Sequence, residues 1–168
     1  MVQWDYALYE DALGKNSPFL LDFRNIDLKE ISPDLIFIND PYDEYNLSFM
    51  VDPAFFSKQL KSCTKQLIYI PWFATSEIDL EDKEDGKAVI NAENYVLMPA
   101  LVHSDHVILQ SEGIAKLYQH LLEKESGAEF AKYWEKKLLP LGSPLFDGDI
   151  SKEQYNSKAI WKKLKEYK

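Results

Sequence analysis

The chain has 168 residues, enough for about one domain. At 46% hydrophobic and 14% aromatic it holds the material for one packed core, which excludes general disorder. Its net charge of −9 sets it against phosphate backbones and anionic lipid, so broad nucleic-acid binding is not expected.

The N-terminus, Met1-Val2-Gln3-Trp4-Asp5, lacks the basic and apolar regions of a signal peptide. The longest uncharged apolar stretch, Tyr95 to Val102, includes Pro99 and falls far short of a membrane span. Cys63 is the only cysteine, so an intramolecular disulfide or a Cys-based zinc site cannot form. A cytoplasmic domain is the expectation.

In chain order, Phe19 to Phe23 reads as a possible edge strand. Asp34-Leu-Ile-Phe-Ile38 is a first short apolar run, followed by a polar cluster from Asn39 to Asn46. Pro53 then opens a helix with Phe55, Phe56, Leu60 and Cys63 near one face. The second run, Gln66 to Ile70, leads into Pro71, Trp72, Phe73, Ala74, Thr75, Ser76 and Glu77. Glu77 to Asp85 is an acidic stretch that reads as a solvated loop, without the Gly-pivoted spacing of a calcium site.

Ala88 to Ser104 reads as helix, kinked or split at Pro99. The third run is His106 to Leu109. Ser111 caps a helix over Glu112 to Glu125, with Ile114, Leu117, Tyr118, Leu121 and Leu122 at helical spacing. A further helix spans roughly Ala128 to Lys137, with Phe130, Tyr133 and Trp134 as its apolar face. The fourth run is Leu138 to Leu141, leading into Gly142, Ser143 and Pro144. The tail from Ser151 to Lys168 carries six lysines against two glutamates and reads as a basic amphipathic helix. That helix packs across the sheet or makes peripheral contact with a membrane surface or another domain.

Short apolar runs alternating with helices predict an α/β fold: a Rossmann-like open parallel sheet, three-layer α/β/α, with helices on both faces. One Rossmann-like domain over residues 1–150 is followed by the basic helix over 151–168. Ligands of such sheets bind beyond the carboxyl ends of the strands, near a reversal of strand order. That rim would gather Asn39, Asp40, Tyr42, Asp43, Asn46, Thr75, Ser76, Glu77, Gln110, Ser111 and Ser143.

Several chemistries lack their motifs. Neither GxGxxG nor GxxxxGK[ST] occurs, and Leu141-Gly-Ser-Pro-Leu145 lacks the second glycine of a nucleophile elbow. His103-Ser-Asp-His106 holds two histidines, but at a helix–strand junction His103 closes the helix and His106 opens the strand, with their rings apart. No metal or cofactor is expected. Asp40 and Asp43 make either an acid–base pair or ordinary turn chemistry.

Ser32 to Asn46, Leu67-Ile-Tyr-Ile-Pro-Trp-Phe73, His106 to Glu112 and Leu141-Gly-Ser-Pro-Leu-Phe-Asp147 occur in an order that resembles the N-terminal, acceptor-side half of bacterial CDP-glycerol glycerophosphotransferases and related teichoic-acid transferases. The resemblance covers roughly Pro33 to Asp147. It implies the first half of a GT-B type enzyme of cell-wall polymer synthesis. Its partner would be a donor-binding half or chain, and its acceptor a polymer or glycan.

Gly142, Pro144 and Asp147 fit the segment that leads into the second half. The family's histidine lies in a Trp-His-Gly segment, where this chain has Trp72-Phe73-Ala74. On this reading Asp43 is the substitute base. Asn39, Asp40, Tyr42, Asn46, Trp72, Ser76, Glu77, Ser111, Glu112 and Ser143 contact the acceptor, with Trp72 stacking on a sugar face. The chain is inactive without its donor half. A non-catalytic interaction protein and a flavodoxin-like small-molecule binder are the alternatives.

Overall fold

The computed structural model describes residues 22, 25–48, 50–78 and 86–144. Helix α1 (Leu28–Ile31) is capped by Asp27, whose side chain accepts from Lys29 N and Glu30 N. It leads into β1 (Leu35–Ile38). After two 3-10 turns, Asp43–Tyr45 and Pro53–Phe55, come α2 (Ser57–Cys63) and β2 (Gln66–Tyr69). Helices α3 (Gly86–Val96) and α4 (Pro99–His103) precede β3 (His106–Ile108). The long α5 (Glu112–Ser126), a 3-10 turn and α6 (Ala131–Lys137) lead to β4 (Leu138–Leu139). The possible strand at Phe19 to Phe23, apart from Asp22, and the basic tail lie outside the described residues, as do residues 79–85 of the acidic stretch.

All four apolar runs are strands, and all pair in parallel, in the order β1-β2-β3-β4. The fold is the expected Rossmann-like open α/β sheet. Register aligns Ile38 with Tyr69, Tyr69 with Val107 and Val107 with Leu138, so these residues share one face. Against that face pack Val96, Leu101, Leu117, Leu121 and Trp134 in one apolar cluster. Ile68 of β2 and Leu139 of β4 are buried too, on the opposite face, so the sheet is covered on its second side at these positions.

The order of the described strands contains no reversal, so they offer no switch-point crevice of the kind that usually seats a ligand.

Two helices depart in detail from the sequence expectation, and the split expected at Pro99 is present. The helix opened by Pro53 breaks at Phe56, which is extended at φ −59°, ψ 144°. Ser57 N there donates to Asp43 rather than to the preceding turn. Pro99 splits the next helix because Met98, the residue before it, is driven to the extended region at ψ 147°. In the last helix only Trp134 of the expected apolar face is buried. Phe130 and Tyr133 are 47% and 51% exposed, and the inward position below Trp134 is taken by Lys137.

Candidate functional site

The loop after β1 is built around Asp43. Its backbone sits in the left-handed region at φ 46°, which an Asp tolerates better than most side chains. That conformation accompanies a carboxylate turned inward, 4% exposed, against the first residue of α2. Ser57 N donates to Asp43 Oδ1 at 2.8 Å and to Oδ2 at 3.0 Å, and Ser57 Oγ donates to Oδ2 at 2.6 Å. The buried carboxylate thus caps α2 from a distant loop, satisfying an N–H that has no partner within the helix.

Ser57 Oγ also lies 2.8 Å from His103 Nδ1, at the end of α4. A carboxylate only accepts, so the one hydroxyl proton of Ser57 goes to Asp43. The oxygen therefore accepts from His103 Nδ1–H, and in the neutral ring the free lone pair falls on Nε2. Nε2 makes no hydrogen bond to the described residues. His103 lines an open cleft of about 380 Å³ with Glu44, Tyr45, Lys58 and Gln59 among its polar walls. An imidazole anchored at Nδ1 by a hydroxyl that a carboxylate holds in turn, on a residue lining a cleft, is the arrangement of an oriented proton acceptor. The closed helix at His103 and the strand opening at His106 are as the sequence indicated.

The other predicted site residues fall around this centre or well away from it. Asp40 accepts from Tyr42 N at 2.8 Å, and burial pushes its carboxyl above the ordinary range against the effect of that bond. Asn39, Asp40 and Asp43 line a second cleft beside β1. Tyr42 meets Trp72 edge to face, with ring centroids 6.3 Å apart. Asn46 accepts from Ser48 N in the next turn.

Ser76, Glu77, Ser111 and Ser143 belong to the ends of β2, β3 and β4. Gln110 holds Thr75 at both backbone atoms, accepting from its N–H at 2.9 Å and donating to its carbonyl at 2.6 Å. Ser111 accepts from Ile114 N as the cap of α5, and donates to Glu77 Oε1 at 2.5 Å. Gly113 leaves room for this carboxylate, since a Cβ there would collide with Glu77 Oε2. Glu112 lies in the first turn of α5, where its charge suits the helix dipole. Ser143 is buried behind Gly142, whose φ of 102° lets its N–H reach Leu109 O at 3.1 Å. The strap from Pro71 to Ile78 is therefore tied down over the strand ends, and the predicted rim residues divide between two neighbourhoods.

Sequence reasoning passed over Ser57 and set His103 aside. Their signal is spatial: the contacts span 14 and 46 positions along the chain. It also missed Lys137, buried at 2% exposure, whose ammonium donates to Val102 O at 2.8 Å and lies against the rings of Tyr133 and Trp134. Burial pulls its pKa down to about 8. Among the described residues no group of three His, Cys, Asp or Glu side chains is placed to hold a metal, and no helix is long and apolar enough to cross a membrane.

Comparison of the chain with protein-family models, curated proteins and solved structures finds no match in any of the three.

Proposed function

We propose that this domain is the acceptor-binding half of a transferase, in which His103 is the general base for an acceptor hydroxyl. The observation that carries the reading is the Asp43–Ser57–His103 chain, which anchors the imidazole at Nδ1 on a residue that lines a polar cleft. Asp43 was the sequence candidate for the base, but both its oxygens are engaged by Ser57. It is a positioning residue here, and it stabilises the imidazolium through the hydroxyl.

The proton of the acceptor O–H passes to Nε2 as its oxygen bonds to the phosphorus or anomeric carbon of a nucleotide-activated donor. The nucleotide leaves with the electron pair of the broken bond. Lys58 and Gln59 suit an acceptor that carries a phosphate beside its hydroxyls, as a glycerol phosphate does. The donor belongs to a partner half, consistent with the glycerophosphotransferase resemblance and with the lack of a glycine-rich phosphate loop in the chain.

The test is a thermal-shift and calorimetric titration with glycerol phosphates, short glycans, CDP-glycerol and UDP-sugars. Glycerol phosphates or glycans raise the melting temperature of the wild type, because they bind the folded state alone. His103→Gln and Lys58→Ala weaken that shift while leaving the unliganded melt near its original position. If no acceptor shifts the wild type, or if His103→Gln binds as well as the wild type, the reading fails.

A further inference from the structure

On the other side of Asp43 lies the second cleft, of about 300 Å³, against the outer edge of β1. It is walled by Ile36, Ile38, Val51, Phe55 and Leu60, with Leu28 and Phe37 at its margins. Its polar residues, Asn39, Asp40 and Asp43, all come from the loop that follows the carboxyl end of β1. Among the described residues no lysine, arginine or histidine lines it. Asp43 is already committed to Ser57, and Asp40 gives one oxygen to Tyr42 N. Among the described residues, the second oxygen of Asp40 and the side-chain carbonyl of Asn39 take no hydrogen bond and can accept from an incoming group.

We infer that this cleft binds a small amphiphilic amine, with its hydrocarbon body along Ile36, Ile38, Val51, Phe55 and Leu60 and its ammonium on Asp40. An anionic head would meet two carboxylates and, among the described lining residues, no cationic side chain. A head without donors would leave Asp40 desolvated and unpaired, which is costly for a half-buried carboxylate. An ammonium instead relieves that desolvation with a charge-assisted hydrogen bond. The net charge of −9 draws cations toward the same surface. Pockets of this kind, mostly apolar with a few polar groups, are the usual form of small-ligand sites. The inference does not rest on the role proposed for His103, which lines the other cleft.

The experiment is calorimetric and NMR titration of the full chain with butylamine, hexylamine, hexanol and hexanoate. Hexylamine binds more tightly than butylamine, by about fourfold for each added methylene that is buried. It also binds more tightly than hexanol, and hexanoate does not bind. Asp40→Asn keeps an acceptor for Tyr42 N and lowers hexylamine affinity about tenfold, the loss of one charge-assisted bond. Val51→Trp fills the cleft and removes binding of every alkyl probe, while the unliganded melt confirms folding.

Equal affinity for amine and alcohol, or an unchanged amine affinity in Asp40→Asn, overturns the assignment of a cationic head. Absence of binding by any probe, or binding that survives Val51→Trp, overturns the site itself. His103→Gln leaves amine binding intact, so failure here and failure of the transferase reading are separate results.

Discussion

Replacing Asp43 with asparagine changes one atom, yet the structure makes it a severe substitution. Oδ1 and Oδ2 lie 2.8 and 3.0 Å from Ser57 N, so either orientation of the new amide brings an NH2 group against an N–H donor. The site is buried, with Asp43 4% and Ser57 1% exposed, and water cannot relieve the clash. Loss of charge-assisted bonds, at about 1.5–3 kcal/mol, together with an unsatisfied buried donor, gives a cost of roughly 2–4 kcal/mol. For a domain of this size that lowers the melting temperature by roughly 5–15 °C.

Ser57→Ala leaves both N–H bonds to the carboxylate and removes only the hydroxyl, so it costs less, about 1–2 kcal/mol. Urea melts of the two single variants and the double variant give the coupling between them. Residues sharing one network couple by about 0.5–3 kcal/mol. Asp43→Asn within about 0.5 kcal/mol of the wild type, the range of ordinary surface changes, would falsify the buried relay and with it the oriented His103.

Lys137 gives a pH signature. Its folded pKa of about 8 lies below its ordinary 10.5, so between these values the unfolded chain holds more protons and stability rises with pH. From pH 8 to pH 10 the wild type gains about 2 kcal/mol relative to Lys137→Met. Above pH 10.5, the ordinary lysine value, stability falls in both proteins, because burial raises the Tyr69 phenol and pushes Tyr118 up to about 12 while the unfolded chain has lost those protons; chemical denaturation at stepped pH reads both limbs. Ser111→Ala removes the cap of α5 and lowers stability by about 1 kcal/mol in the same assay. Gln110→Ala frees both backbone atoms of Thr75, and hydrogen exchange at the Thr75 amide then speeds up while protection in β2 is kept.

The α/β class was legible because its signal is local. Gln66 to Tyr69 is a short apolar run buried at Leu67, Ile68 and Tyr69, as a strand covered on two sides requires, and Leu35 to Ile38 has a similar composition although Phe37 is 49% exposed. The helix over Glu112 to Ser126 was equally plain, with a capping serine and five core positions at helical spacing. The split at Pro99 follows from the ring of the proline itself. Lys137 was not legible: a lysine reads as surface from sequence. It is buried here because Val102 O accepts from its ammonium and the Tyr133 and Trp134 rings lie against it.

The candidate site shows the same division more sharply. The sequence by itself determined that polar side chains would follow each strand, since a chain leaving a buried sheet must solvate its turns. It pointed to Asp43 among them. Only the tertiary structure decided that Asp43 turns inward to cap α2, that the Ser57 hydroxyl donates to it, and that His103 Nδ1–H donates to that hydroxyl. Those contacts depend on how α2 and α4 pack beside β1 and β2, which no local spacing encodes. The tertiary structure likewise set the order of the described strands, with no reversal among them, and the two clefts that Asp43 lines flank the loop after β1.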